Sequence, residues 1–200
     1  MGSWRLRSWP ERGDYPDHSA LLKAEVRAIR IKEAVDRDAS RIEAAFRDVF
    51  GRTGAQYYGV RWDVEARRCV EQYYTLVAKI GKDVIGFVST RFYKPQALLF
   101  PFKVKRQRVT FVIDWLIVLP GYQDRGVGSS LMKSMLNNLS RLSKEYDAFR
   151  NAVVLVRTSN WWEFTRGRRR RVPESRDSPA VEFYRKFGFK RTKGWMKLKL

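Results

Sequence analysis

The chain has 200 residues, of which 44% are hydrophobic and 14% aromatic, enough to bury one substantial core and to exclude a disordered chain. Its 41 basic residues outnumber 21 acidic ones, and a net charge of +20 favours polyanionic neighbours such as RNA, DNA or anionic membrane over small polycations, or else makes a merely soluble basic surface. The single cysteine, Cys69, excludes an intramolecular disulfide and fits an intracellular setting, cytoplasmic by default. No apolar run approaches the roughly 18 residues of a membrane-spanning helix, and the opening residues lack the apolar centre of a secretory signal.

The charge is unevenly spread. Residues 1–50 hold 10 basic and 9 acidic residues, leaving 31 against 12 for the rest. No acid occurs from Arg91 to Arg108 or from Arg185 onward, and 166–171 reads "RGRRRR".

Residues 1–25 mix Trp, Pro, Gly and charge without a period and read as an irregular lead-in; 26–200 is expected to be the folded domain. "EVRAIRIKEA" (Glu25 to Ala34) alternates as a strand. "DASRIEAAFRDVF" then places Ile42, Phe46, Val49 and Phe50 on one helical face, with Ser40 and Glu43 at capping-box spacing and Gly51 and Gly54 as terminators. "VRWDVEARRCVEQ" predicts a second short helix. Two β-rich runs flank Gly81-Lys82-Asp83, a hairpin signature, and "VTFVIDWLIVL" (Val109 to Leu119) is apolar enough for a central strand.

"LPGYQDRGVGSSLM" follows directly. Past its glycines, Leu131, Met135, Leu139 and Leu142 recur at helical spacing, which predicts about four turns. "AVVLVRT" (Ala152 to Thr158) is another buried strand. Trp161 to Arg176, with two tryptophans and four consecutive arginines, interrupts the pattern as an insertion or long loop. "DSPAVEFYRKFGF" restarts a helix that Ser178 can cap and Gly188 can stop, and "KRTKGWMKLKL" closes as a strand or short hairpin. The order β, α, α, β, β, β, α, β, α, β describes a mixed α/β domain.

The glycine loop lacks the Lys-Ser/Thr of a Walker loop and the third glycine of a dinucleotide fingerprint. What remains is a strand-to-helix turn whose free amides, from Arg125 to Ser129, can take an anion or serve as a plain turn. Gln123-Asp-Arg-Gly126-Val-Gly128 resembles the Gln/Arg-x-x-Gly-x-Gly/Ala signature of the GCN5-related N-acetyltransferase superfamily. "SPAVEFYRKFGF" is similar to that family's Ala-x-x-Phe-Tyr-x-x-x-Gly-Phe helix, and the two motifs occur in the family's order over about residues 26–200.

The resemblance implies the family's mostly antiparallel sheet flanked by helices, and acetyl-CoA as cofactor. It implies a diphosphate seat on the amides of Gln123, Arg125, Gly126, Val127, Gly128 and Ser129, and a pantetheine arm along Ile117, Val118 and Leu119. An amide near Val118 would polarise the thioester carbonyl. It places Tyr184 beside the departing sulfur, although Tyr184 also reads as an aromatic core residue beside Phe183 and Phe187. Asn160 corresponds to an asparagine that covers the CoA arm, but the insertion separates it from Ser178. Gln123 stands where Arg is commoner, losing a charge and keeping the amide.

Asp114, two residues before Leu116 and so expected on the same strand face, stands where the resemblance implies a carboxylate base; an acid in so apolar a run has either that purpose or a structural one. Glu33, Glu71 and Glu163 are secondary candidates. With His18 the lone histidine, in the lead-in, a metal site has almost nothing to build from. The expected acceptor is an amine on a protein or on something held by a polyanion. Arg168, Arg169, Arg170 and Arg171, with Trp161 and Trp162 able to stack on bases, form a candidate polyanion-binding set, or else a solvated loop. The alternative is a non-catalytic component of a nucleic-acid-containing assembly with the same fold.

Overall fold

The computed structural model describes residues 28–93, 109–156, 162–165, 168–171, 179–192 and 195–200; for 52–58, 148, 162–165, 168–171 and 179 it describes the backbone alone. The expected lead-in over 1–25 lies outside the described residues.

The first strand, β1 (Arg30–Glu33), leads through a 3-10 turn at Asp36–Asp38 into α1 (Ala39–Tyr58). The capping box expected of Ser40 and Glu43 is replaced by Asp38. Its Oδ2 accepts the Val35 N–H at 3.1 Å and its Oδ1 takes Lys79 Nζ at 2.6 Å, so this fully buried carboxylate is both paired and hydrogen-bonded, as a charge in the interior must be. Glu43 instead pairs one turn along with Arg47. The helical backbone breaks at Gly51 (φ 64°, ψ 179°), a conformation open mainly to glycine, and then resumes. The carbonyl that the break turns out accepts the Trp62 indole N–H at 3.3 Å and ties α1 to α2 (Trp62–Glu71).

Next come the hairpin β2 (Tyr74–Ile80) and β3 (Asp83–Tyr93), then β4 (Thr110–Val118), α3 (Val127–Glu145) and β5 (Val153–Val156). The insertion expected as a loop contains a hairpin of its own, β6 (Trp162–Thr165) with β7 (Arg168–Arg171), in which Trp162 stands opposite Arg171 and Thr165 opposite Arg168. The chain closes with α4 (Pro179–Arg185), β8 (Lys190–Thr192) and β9 (Trp195–Lys199). Gly188 stops the helical turns after α4 at φ 83°, its N–H bonded to the Arg185 carbonyl.

A seven-stranded sheet runs in the order β1-β2-β3-β4-β5-β9-β8; β4 and β5 are parallel and the other pairs antiparallel. The mixed, mostly antiparallel sheet flanked by helices is the architecture expected. One face carries α3 and α4, packing Leu131, Met135, Leu139 and Val181 on Phe111 and Ile113. The other carries α1 and α2, where Phe46 stacks on Trp62 (centroids 4.9 Å apart, planes 4° apart) and meets Trp115 edge-on at 5.0 Å. Each such buried aromatic or large aliphatic side chain stabilises the fold by about 1.5–3 kcal/mol.

Two irregularities in β4 create the site. Pairing with β3 passes from Ser89 opposite Trp115 to Thr90 opposite Ile113, leaving Asp114 as the extra residue of a β-bulge. The bulge reverses the alternation of side chains. Before it, Phe111 and Ile113 face α3; after it, Leu116 and Val118 do, while Trp115 and Ile117 face α1 and α2. Asp114 and Leu116 therefore do not share a face, contrary to the expectation from simple period-two counting. The second is a difference in reach: over the described residues β5 pairs with β4 from Thr110 to Ile113, and β4 runs on to Val118.

Candidate functional site

Where β4 ends, Leu119 donates its N–H to Ile85 on β3 at 2.9 Å, and its carbonyl accepts the Tyr122 N–H at 2.8 Å. Antiparallel pairing alternates, so Ile117 also turns its peptide groups toward β3 while Leu116 and Val118 turn theirs toward the gap. This corrects the expected pantetheine edge of Ile117, Val118 and Leu119: Leu116 and Val118 hold the outward peptide groups. Gly86 on β3 permits the close approach, since a Cβ there would stand 2.8 Å from the Ile117 carbonyl oxygen.

The loop beyond turns through Pro120–Tyr122, then Asp124 (φ 58°) and Gly126 (φ 79°), before α3. Gly126 is its left-handed N-cap, and the first helical bond is from the Ser130 N–H to the Gly126 carbonyl at 2.9 Å. The N–H groups of Val127, Gly128 and Ser129 precede that bond and so have no partner within the helix, at its electropositive end. Arg125 belongs to the same loop, its guanidinium 5.9 Å from the Tyr122 ring centroid; its buried Nη1 has no hydrogen-bond partner. An orphaned cationic donor beside unpaired amides fits a bound diphosphate. Gln123 plays a different part from the one expected: its own N–H leans on the Pro120 carbonyl at 3.4 Å, and its side-chain amide donates to the Val118 carbonyl at 2.9 Å. That leaves the Val118 N–H as the outward donor at the strand's end.

A cleft of about 960 Å³ opens beside β4 and β5, toward α1 and α2. Tyr184 on α4 lines it from one side; the ring is packed edge-on against Phe183 and Phe189, and burial pushes its hydroxyl above the ordinary phenol range, so the group stays protonated at neutral pH. On the other side Asp114 meets Arg91 of β3 in a two-toothed salt bridge, Nε to Oδ2 at 2.5 Å and Nη2 to Oδ1 at 2.6 Å. The pairing holds the Arg91 guanidinium more firmly charged, and it lies 5.2 Å from the Tyr73 ring centroid and 5.4 Å from that of Tyr93. Of the two purposes expected of Asp114, base or structural, the pairing favours the structural one: each of its oxygens accepts a hydrogen bond from Arg91, so that it positions Arg91.

Sequence reasoning missed Glu65, Arg68, Tyr73 and Arg91, all of which line the cleft. Glu65 is buried on α2, its Oε1 accepting the Trp115 indole N–H at 2.9 Å and its Oε2 standing 3.4 Å from Arg68 Nη1. Burial first, then the charge of Glu65, raises the Tyr73 hydroxyl above its ordinary value. Of the secondary candidates, Glu33 and Glu71 are exposed and do not line the cleft. The side chain of Glu163, like those of Trp162 and Arg168 to Arg171, lies outside the described residues, as do Asn160 and Trp161 entirely. Among the described residues no three His, Cys, Asp or Glu side chains are grouped to hold a metal, and no helix is long and apolar enough to cross a membrane.

Over residues 71–191 the chain matches the model of the acetyltransferase (GNAT) domain. The chain belongs to the GNAT acetyltransferase family. The family match thus spans both the glycine loop and the helix that carries Tyr184. Solved structures with the same fold include Arabidopsis thaliana NAA60 in complex with acetyl-CoA, at 15% identity and TM-score 0.57, covering 86% of this chain and 98% of that one. Arabidopsis thaliana Naa50 in complex with the bisubstrate analogue CoA-Ac-MVNAL aligns at 15% identity and TM-score 0.55, over 86% and 99%. Salmonella typhimurium yncA, described as a putative acetyltransferase and solved with acetyl-CoA, aligns at 18% identity and TM-score 0.54, over 86% and 94%. Among curated proteins none matches by sequence. Family and fold together support acetyl transfer as the chemistry of this GNAT domain.

Proposed function

We propose that this GNAT protein transfers an acetyl group from acetyl-CoA to a primary or N-terminal amine, in the cleft between the glycine loop and the Arg91–Asp114 pair. The observation that carries the reading is the junction of β4 and α3. An outward Val118 N–H at the end of β4, first-turn amides of α3 without helical partners and the orphaned Arg125 Nη1 follow one another along this junction. Acetyl-CoA, when bound, supplies the activated acetyl thioester. The amides of Val127, Gly128 and Ser129, with Arg125, would hold its diphosphate, and the outward peptide groups of Leu116 would pair with the amide-bearing arm. The Val118 N–H would polarise the carbonyl as negative charge develops on its oxygen. Tyr184, kept protonated by burial, would donate a hydrogen bond to the departing sulfur.

Acetyl transfer also requires a neutral amine. With Asp114 saturated by Arg91 and Glu65 bonded to Trp115, the proton would leave by way of the polar floor around Tyr73 and water rather than to a free carboxylate. The test is a thiol-release assay with acetyl-CoA and a panel of amines, with mass spectrometry of the acceptor. A +42 Da product formed only with active protein supports the reading; thiol release without acetylated amine, or neither, rejects it. Polyanion binding by Arg168 to Arg171 stays with this proposal on the strength of the chain's charge. Its check is RNA affinity against salt concentration, which should fall steeply.

A further inference from the structure

The acceptor side of the cleft is electrically layered. In the two ion pairs that line it, the acids are the inner members: Glu65 and Asp114 have side-chain exposures of 7% and 16%, against 47% for Arg68 and 39% for Arg91. An entering molecule therefore meets guanidinium N–H groups, with the carboxylates already spent behind them. Arg91 is held for this. Asp114 binds its Nε and Nη2, the Tyr73 and Tyr93 rings flank it, and Nη1 remains with its two donors as the third face of a fixed fork.

The sequence between two cleft-lining positions is basic. Tyr93 and Thr110 both line the cleft, and the sequence joining them carries Lys94, Lys103, Lys105, Arg106 and Arg108 without an acid. Beside the guanidinium groups stands an apolar wall of Phe50, Val60 and Trp115. A cationic acceptor such as a polyamine or a lysine-rich tail would be repelled by the field, and both carboxylates among the described residues lining the cleft are already paired.

We infer that the acceptor is an amine that also bears a carboxylate, held by Arg91 Nη1 and Arg68 while its apolar part rests on the Phe50–Val60–Trp115 wall. This rests on the acetyl-transfer reading above and names its substrate class. Two sources share the chemistry: a free amino acid, whose own carboxylate is recognised, and an acidic protein N-terminus, whose aspartate or glutamate side chains are. Charge-assisted hydrogen bonds of this kind discriminate by about ten-fold or more.

The experiment compares kcat/KM for matched acceptors with the full chain: phenylalanine against phenylalaninamide, and a peptide with aspartates at its second and third positions against one with lysines there. Acetyl-CoA binding is measured separately by calorimetry, so failure to bind cofactor counts against the acetyl-transfer reading and failure to discriminate counts against this one. The expected result is a preference of about ten-fold or more for the acid in one arm, which also identifies the source. The preference should collapse toward unity in Arg68→Gln, and in Arg91→Gln combined with Asp114→Asn, which leaves no unpaired charge behind. Equal rates for acid and amide in both arms, a preference for the lysine peptide, no transfer to any acceptor by acetyl-CoA-loaded protein, or an undiminished preference in both folded variants would overturn the inference.

Discussion

The Asp114–Arg91 pair gives the sharpest test of how the cleft is built. Exposed ion pairs contribute about 0.2–1 kcal/mol, whereas breaking a fully buried one costs about 3–5 kcal/mol. This pair lies between, with Arg91 39% and Asp114 16% exposed and two parallel hydrogen bonds between them. Asp114→Ala strands a guanidinium that can turn to water between two phenol rings, and should cost about 1.5 kcal/mol. Arg91→Ala strands the more buried carboxylate and should cost about 3 kcal/mol. The double variant should cost less than the sum, with a coupling of about 1–2 kcal/mol. Urea unfolding of the four proteins at neutral pH reads all three quantities. A coupling under about 0.5 kcal/mol, or a greater cost for Asp114→Ala than for Arg91→Ala, would refute the pairing and return Asp114 to the role of a free carboxylate.

Further outcomes are expected elsewhere in the molecule. Gly126→Glu forces a side chain onto a backbone at φ 79° and sets a negative charge at the first-turn amides; acetyl-CoA affinity measured by calorimetry should fall at least about a hundred-fold, the worth of about 2.7 kcal/mol. Tyr184→Phe keeps the ring and removes the donor, so kcat should fall about ten-fold or more while acetyl-CoA affinity is unchanged. Burial pushes the Cys69 thiol from 9.0 up to about 12, so the folded state keeps its proton between those values while the unfolded chain loses it. Stability contributed by the neutral thiol is full below pH 9 and lost as pH rises toward 12, by about 1.4 kcal/mol per unit. Cys69→Ala should flatten that alkaline decline in urea unfolding, and native Cys69 should resist thiol reagents at neutral pH.

Regular periodicity makes most of the fold legible in the sequence. The helical spacing of Leu131, Met135 and Leu139, and of Ile42 and Phe46, marks the two buried faces, and the glycines at 81, 126 and 188 sit where the chain reverses with positive φ. What escaped had no periodic signature. A bulge at Asp114 adds one residue to a strand without altering its composition, yet it moves Leu116 to the opposite face from the one counted. Arg91 lies 23 residues from its partner, and Glu65 lies 50 from Trp115, so long-range pairing alone brings them to the cleft. Asp38 takes the capping role expected of Ser40, and Lys79 on the next strand, β2, neutralises it. The four arginines of β7 have a strand's backbone pairing with β6, where composition alone suggested a loop.

The most direct test of the central claim is a calorimetric titration of acetyl-CoA into the full-length protein, alongside CoA lacking its diphosphate-nucleotide portion. The β4–α3 junction predicts saturable one-to-one binding of acetyl-CoA, lost in Gly126→Glu, and at least about a hundred-fold weaker binding of the truncated arm, which leaves Arg125 and the first-turn amides unpaired. No heat of binding at millimolar acetyl-CoA, or equal affinity for both molecules, would mean that the loop is a plain turn and would contradict the account.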